Sequence, residues 1–170
     1  NREPAEPAVQ GLPGQGAVDP RPRAVDVGRR GWLNLTVTRI DRITLADVVA
    51  VARHGAHVDI PQATLDRVAD GRAVVEQLAG SDAPAYGVST GFGALATVSI
   101  PPARRAALQV SLIRSHAAGT GPTVPAEVVR AMMCLRLKTL ASGRTGVRPV
   151  VVETLAAMLN LGITPAVRQY

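Results

Sequence analysis

The chain has 170 residues, about the length of one domain, and 46% of them are apolar, which is enough to bury a core. A formal net charge of +6 is compatible with a polyanionic partner. However, Lys138 is the only lysine, the arginines are dispersed, and aromatic residues are too few for base stacking, so we expect no nucleic-acid partner. With one cysteine (Cys134), no apolar run of membrane-spanning length and no secretory signal, we expect a cytoplasmic protein without disulfides or membrane contact.

The first segment differs in composition from the rest of the chain. Residues 1–33 are rich in proline, glycine and arginine and show no periodic apolar pattern. Such a segment cannot bury enough apolar surface to offset the entropy lost on ordering. We therefore predict a disordered tail over residues 1–33 and a folded domain over residues 34–170.

The folded part is predicted to begin with a short strand and a capped helix. Residues 35–40 alternate apolar and polar side chains, which is typical of a half-buried strand. Thr44 is a candidate helix N-cap, with Asp47 three residues later completing a variant of the capping box, and Gly55 is placed to end the helix. A second extended piece is predicted over residues 58–60.

Four further helices are predicted from apolar residues that recur at helical spacing. Their expected ranges are 61–78, with Gly71 weakening the middle, then 102–118, 125–141 and 149–160. The helix at 125–141 is apolar nearly all round, so it should be central in an assembly larger than this chain. The predicted fold is mainly α, with one or two short β-strands and one long loop, residues 84–102.

That loop contains the octapeptide Tyr86-Gly-Val-Ser-Thr-Gly-Phe-Gly93. Its glycines, Gly87, Gly91 and Gly93, permit left-handed backbone and close approach of a ligand or another segment. A tyrosine in such a loop has a phenol that can donate, accept or lose a proton. The alternative is a turn-rich connector whose aromatic rings plug the core. Loops of this length are often functional, which favours a site at Tyr86.

Ser115 and His116 lie near the end of the predicted helix 102–118, with His116 on the same face as Leu112 and Ile113. One interpretation is a core or interface histidine with a satisfied hydrogen bond. The other is an imidazole at a helix end facing a pocket, just before a Gly-Thr-Gly turn. His54 and His57 could share a helix face, but they lack further ligands nearby, so we expect no metal site.

Four motifs, in order, resemble the N-terminal part of histidine ammonia-lyases, members of the aromatic amino-acid lyase and aminomutase family. They are YGVSTGFGAL, LQVSLIRSHAAGTG, LRLKTLASGRTGVRP and ETLAAMLNLGITP. The resemblance runs from about Thr44 to Tyr170. It implies the N-terminal portion of a long-helix bundle, assembled as a homotetramer.

The resemblance also implies roles for individual residues. Tyr86 matches the family's catalytic tyrosine, which takes part in removing the β-proton of the substrate while ammonia leaves. The Ser115-His116 pair matches the histidine-type version of the substrate-reading motif, so the implied substrate is L-histidine and the implied product urocanate. A phenol is mostly protonated at neutral pH, so Tyr86 would need neighbouring donors or cations that this sequence does not identify.

The family's prosthetic group, a methylidene-imidazolone, forms from an Ala-Ser-Gly segment that we expect to be absent from this chain. Ala141-Ser142-Gly143 has the right letters but lacks the Gly-Asp-Leu-Ala-Pro context of that segment. We therefore expect a fragment that is inactive alone. A related aromatic ammonia-lyase or aminomutase, and a non-catalytic helical interaction module, are the alternatives.

Overall fold

A computed structural model describes residues 37–81 and 83–170, and it confirms a mainly helical fold. The predicted disordered tail, residues 1–33, lies outside the described residues, as do positions 35 and 36 of the first predicted strand. Two short strands and five α-helices follow one another in this order: β1 (Val37–Arg39), α1 (Leu45–His54), β2 (His57–Asp59), α2 (Gln62–Gly80), α3 (Pro102–His116), α4 (Ala126–Leu140) and α5 (Pro149–Asn160).

The two strands form one parallel pair. Val37 is aligned with His57, and Arg39 with Asp59. Parallel neighbours cannot be joined by a tight hairpin, so the chain needs a crossover between them, and α1 supplies it. The two extended pieces predicted from sequence are thus the two strands of a small β-α-β unit.

The predicted capping box at the start of α1 is confirmed. The Asp47 N–H donates to Thr44 Oγ1 at 3.3 Å, and the Thr44 N–H donates to Asp47 Oδ2 at 2.8 Å. At the other end Gly55 adopts a left-handed backbone, with φ of 67°, and its N–H donates to the Ala50 carbonyl. Both ends of α1 are therefore determined by local sequence.

Helix α4 lies at the centre of the described structure, as its apolar sequence predicts. Cys134 and Leu137 are completely buried between α1 and α5, and Val129 and Leu140 are nearly so. Burying a leucine side chain stabilises a fold by about 1.5–3 kcal/mol. The opposite face of α4 keeps Met132 and other apolar side chains exposed, which agrees with a helix that packs on more protein.

Polar side chains join the ends of the helices to the rest of the core. The Arg130 guanidinium donates to the carbonyls of Val51 at 2.9 Å and Leu159 at 3.2 Å, near the C-terminal ends of α1 and α5. The Asn160 side chain accepts from the Val58 N–H and donates to the Val58 carbonyl, at 2.8 and 3.0 Å. It therefore pairs with the free edge of β2 as a neighbouring strand would.

Helix α2 departs from the sequence-based prediction in its bounds and in the role of its glycine. It ends two residues later than expected, and it buries Val68 and Thr64 while Leu78 is exposed. A Cβ on Gly71 would collide with the carbonyl oxygen of Gly143. The glycine expected only to weaken the helix is thus the point where the end of α4 contacts it.

Helix α3 ends at His116, two residues earlier than predicted. Ala117 leaves the helical conformation, with φ of −82° and ψ of 56°. Beyond it, residues 120–124 pair with residues 167–170, for example through Val124 N–H to the Val167 carbonyl at 2.8 Å. This long-range pairing draws the chain away from the helix axis. Over the described ranges no helix is long and apolar enough to cross a membrane.

Candidate functional site

The segment that carries Tyr86, here called the tyrosine loop (residues 83–101), has its own network of hydrogen bonds. Its first turn is closed on the Ala85 carbonyl, which accepts from the N–H groups of Val88, Ser89 and Thr90 at 2.9–3.2 Å. Ser89 Oγ accepts from the Ala85 N–H at 2.8 Å. The segment is therefore an ordered loop with a defined backbone path.

The return half of the tyrosine loop pairs with the first half. Gly91 N–H donates to the Val98 carbonyl at 3.1 Å, and Ile100 N–H donates to the Ser89 carbonyl at 2.8 Å. Ser89 and Thr90 are buried in consequence. These contacts hold the two halves of the tyrosine loop together on the C-terminal side of Tyr86.

Tyr86 itself is largely exposed. Its side chain is 66% exposed, and its ring meets that of Phe92 edge to face, with centroids 5.9 Å apart. The sequence left open whether the two aromatic residues plug the core. In this structure Phe92 supports the tyrosine ring, and the phenol is not part of the core.

The three loop glycines occupy positions where a side chain would not fit or would be strained. Gly87 has φ of 71°, and a Cβ there would lie 2.9 Å from the Phe92 ring. A Cβ on Gly91 would lie 2.6 Å from Leu95 Cβ, and Gly93 has φ of 54°. Gly87 thus allows the backbone to approach Phe92, and Gly91 allows it to approach Leu95, while a role of the glycines in ligand contact stays a prediction.

Ser115 and His116 lie at the C-terminal end of α3, and both are exposed. Ser115 Oγ donates to the Leu112 carbonyl at 2.8 Å. His116 Nδ1 lies 2.9 Å from the same carbonyl and 3.0 Å from Ser115 Oγ. The side chain of His116 is therefore held through one ring nitrogen.

These contacts select a tautomer of the neutral imidazole. A carbonyl oxygen only accepts hydrogen bonds, so Nδ1 must carry the proton when it faces the Leu112 carbonyl. Nε2 of neutral His116 then has a lone pair, and it has no partner among the described residues. The arrangement presents a hydrogen-bond acceptor to solvent at the end of α3.

Tyr86 and His116 are thus both exposed, one on a loop and one at a helix end. Among the described residues no hydrogen bond joins Tyr86 to Ser115 or His116. The described hydrogen bonds therefore do not connect the two candidate side chains, and their role in a common site stays a prediction.

The tripeptide Ala141-Ser142-Gly143 forms the C-terminal end of α4 and the turn after it. The N–H groups of these residues donate to carbonyls of α4, at Leu137, Thr139 and Leu140 respectively. Gly143 packs so closely on α2 that a Cβ would lie 2.7 Å from the Arg67 carbonyl oxygen. Cyclisation would have to unwind this helix end and separate it from α2, and the absence of the prosthetic-group segment from this chain stays a prediction.

The two histidines considered for metal binding, His54 and His57, belong to different secondary-structure elements. His54 ends α1, whereas His57 begins β2 and lies 3.5 Å from Asn160 Nδ2. Across residues 37–81 and 83–170 there is no group of three or more His, Cys, Asp or Glu side chains able to hold a metal ion.

One residue that is hydrogen-bonded to the tyrosine loop was not identified from sequence. Arg105, in the first turn of α3, donates to the carbonyls of Ala79 and Ile100. An arginine in a first helical turn is electrostatically unfavourable, because the helix dipole favours anions there. The sequence signal was weak, because the neighbouring Arg104 lies in the same turn and shares this feature.

Comparison with known proteins identifies the family. The family model for aromatic amino acid lyases matches residues 43–170. The chain belongs to the aromatic amino acid lyase family. It is 58% identical over 127 residues to histidine ammonia-lyase of Streptomyces griseus, and 53% identical over 138 residues to histidine ammonia-lyase of Streptomyces coelicolor. These alignments cover 75% and 81% of the chain but 25% and 27% of the relatives, so the chain spans about a quarter of their length.

Solved lyase-family structures share the fold. Tyrosine aminomutase from Streptomyces globisporus superimposes with a TM-score of 0.74 at 37% identity, over 78% of this chain and 26% of that one. Histidine ammonia-lyase from Trypanosoma cruzi gives 0.68 at 29% identity, over 79% and 26%. The family resemblance and the helical lyase fold predicted from sequence are confirmed.

Proposed function

We propose that this chain is the N-terminal part of a histidine ammonia-lyase, which eliminates ammonia from L-histidine to give urocanate. Similarity to relatives with that name, at up to 58% identity, supports the reaction class. In the proposal the complete protein is a cytoplasmic homotetramer with no nucleic-acid or membrane partner. The exposed apolar face of α4 supports further packing, because such a face is costly to leave in water.

The observation that carries the substrate assignment is the geometry of His116. Its Nδ1 is held by the Leu112 carbonyl and Ser115 Oγ, which leaves the lone pair of Nε2 available. A substrate imidazole with a protonated ring nitrogen can donate to that lone pair. An aromatic hydrocarbon ring offers no such donor, so the arrangement favours histidine over phenylalanine. Ser115 supports this by holding the tautomer.

Tyr86 is the proposed proton acceptor. Its side chain is exposed, and the loop that carries it buries Ser89 and Thr90. A general base must be held within hydrogen-bond reach of the proton that it removes, and the hydrogen-bonded tyrosine loop supplies that positioning. The groups that assist loss of the phenolic proton would come from the rest of the protein.

The prosthetic group of the proposed enzyme would come from a different part of the polypeptide. Ala141-Ser142-Gly143 is occupied in ending α4, and the relatives are about four times as long as the matched region. We propose that the Ala-Ser-Gly segment from which the methylidene-imidazolone forms lies in that remainder. The 170-residue chain alone is then expected to form no urocanate.

Aminomutase activity is the second candidate, since tyrosine aminomutases share the fold at 36–38% identity. The higher identity to relatives named histidine ammonia-lyase and the Ser115-His116 pair favour the lyase. The complete polypeptide should be incubated separately with L-histidine, L-tyrosine and L-phenylalanine. Urocanate from histidine supports the proposal. A β-amino acid product would favour the aminomutase, and no turnover of any of the three would favour a non-catalytic module.

Tyr86→Phe keeps the ring on Phe92 and removes only the hydroxyl. In the complete enzyme we expect kcat for histidine to fall by about 10²–10⁴-fold, as for loss of a general base, with KM much less affected. Tyr170→Phe is the matched control, because Tyr170 is the other tyrosine and is also exposed. A fully assembled Tyr86→Phe enzyme with wild-type kcat would end the catalytic assignment.

His116→Leu removes the proposed hydrogen-bond acceptor and replaces the imidazole by an apolar side chain of similar size. We expect KM for histidine to rise by roughly tenfold or more, because a buried donor on the substrate loses its partner. Turnover of phenylalanine or tyrosine should improve relative to histidine. His54→Leu, at the exposed end of α1, is the control. Unchanged discrimination between histidine and phenylalanine in a well-assembled His116→Leu enzyme would contradict the role.

A further inference from the structure

The position of Tyr86 depends on how the tyrosine loop is attached to the rest of the protein. The loop meets α2 and α3 around an open cavity of about 610 Å³, which is lined by Ala79, Ser89, Ile100 and Arg105 among others. Side chains do not fill this space. On this side, hydrogen bonds from Arg105 join the loop to α2 and α3.

Arg105 lines that cavity and joins three elements. From the first turn of α3 its Nη1 donates to the Ala79 carbonyl at 2.7 Å, and its Nε donates to the Ile100 carbonyl at 3.1 Å. Ala79 belongs to the last turn of α2, whose carbonyls lack partners within the helix. No basic residue of α2 itself lies in that turn. Arg105 supplies the missing cation where the helix dipole is negative.

A short series of hydrogen bonds leads from Arg105 to the residue before Tyr86. The peptide group of Ile100 accepts from Arg105 through its carbonyl, and the Ile100 N–H donates to the Ser89 carbonyl at 2.8 Å. Ser89 then binds Ala85 twice: its Oγ accepts from the Ala85 N–H at 2.8 Å, and its own N–H donates to the Ala85 carbonyl at 2.9 Å. Ala85 is bonded directly to Tyr86.

We propose that Arg105 is a positioning residue for Tyr86, which fixes the base of the tyrosine loop against the end of α2 and so sets where the phenol lies. This inference rests on the proposed role of Tyr86 in proton removal. Arg105 acts through the loop backbone and contacts neither substrate nor phenol. A displacement of about 1 Å at a reacting group can cost on the order of 10²-fold in rate, so a modest shift of the loop is sufficient for a measurable effect.

The test uses the complete enzyme and the variants Arg105→Met and Arg105→Lys, with Arg104→Met as the matched control. Arg104 is the preceding residue on α3, and its guanidinium makes no hydrogen bond to the described residues. We expect Arg105→Met to lower kcat by roughly 10–100-fold while KM for histidine changes less than about threefold. Arg105→Lys, which retains charge and one donor, should recover part of the loss. Arg104→Met should behave as wild type.

A double-mutant cycle with Tyr86→Phe separates positioning from general damage. If Arg105 acts by placing the phenol, Arg105→Met should cause no further loss of kcat in the Tyr86→Phe enzyme. An equal loss in both backgrounds would overturn the proposal, as would wild-type kcat in a well-assembled Arg105→Met enzyme. Wild-type kcat for Tyr86→Phe alone would instead refute the proposed role of Tyr86 in proton removal, a result distinct from wild-type kcat in the Arg105→Met enzyme.

A second variant covers the case in which Arg105→Met fails to assemble. Ser89→Ala removes the Oγ acceptor for the Ala85 N–H, two links further along the series, together with the long hydrogen bond that Oγ donates to the Ala83 carbonyl at 3.4 Å. We expect it to lower kcat about tenfold with little change in KM, and again without effect in the Tyr86→Phe background. If Ser89→Ala and Arg105→Lys both assemble with wild-type kcat, the proposal is wrong.

Discussion

The contact between Gly71 and Gly143 provides a quantitative test of the packing of α2 on the end of α4. Replacing a glycine by alanine inside a helix normally stabilises the protein, by about 0.8–1.0 kcal/mol. Gly71→Ala should do the reverse. Its new Cβ would collide with the Gly143 carbonyl oxygen, and Gly143 is itself packed on the Arg67 carbonyl with φ of 78°.

The expected magnitude follows from two opposing terms. Forcing an extra carbon into a closely packed contact costs about 1–3 kcal/mol. After the gain in helix propensity is subtracted, Gly71→Ala should be destabilising by up to about 2 kcal/mol. Gly80→Ala is the matched control, because Gly80 belongs to the same helix and a Cβ there meets nothing within 4 Å. The control should be neutral or slightly stabilising.

Urea unfolding followed by circular dichroism measures both variants against the wild-type protein. The free energy of unfolding of Gly71→Ala should be lower than that of Gly80→Ala by up to about 3 kcal/mol. A Gly71→Ala protein as stable as Gly80→Ala would refute the close approach of the two backbones. It would also remove one reason for regarding Ala141-Ser142-Gly143 as a structural terminus.

Two further predictions concern titratable groups. Hydrogen bonds from the Thr44 side chain and, next, the Thr44 backbone N–H lower the pKa of Asp47. Its stabilising contribution is therefore present above the usual Asp range and is lost as pH falls through the folded-state pKa. The loss of unfolding free energy caused by Asp47→Asn should therefore become smaller below about pH 4. A loss that does not change with pH would contradict this. Burial raises the pKa of the Cys134 thiol, which is 0% exposed. A thiol reagent should therefore label Cys134 only when the protein unfolds. Rapid labelling of the native protein would refute this prediction.

Where the sequence signal is local, it predicted the structure well. The capping box of Thr44 and Asp47 and the left-handed cap at Gly55 depend on contacts within one turn, so the residues alone define both ends of α1. The apolar sequence of α4 likewise predicts its central position. Tyr86 and the Ser115-His116 pair were identified by their motifs, and the site roles given to them stay predictions.

The tertiary structure decided what depends on residues far apart in sequence. Gly71 looked like a weak point of α2 and proved to be a contact with Gly143, and α3 stops at His116 where residues 120–124 turn to pair with the end of the chain. The importance of Arg105 arises from carbonyls 26 residues before it and five before it, which no periodicity reveals. Local sequence fixes caps and helical faces because their hydrogen bonds close within a turn, whereas the place of the phenol depends on where separate backbones meet.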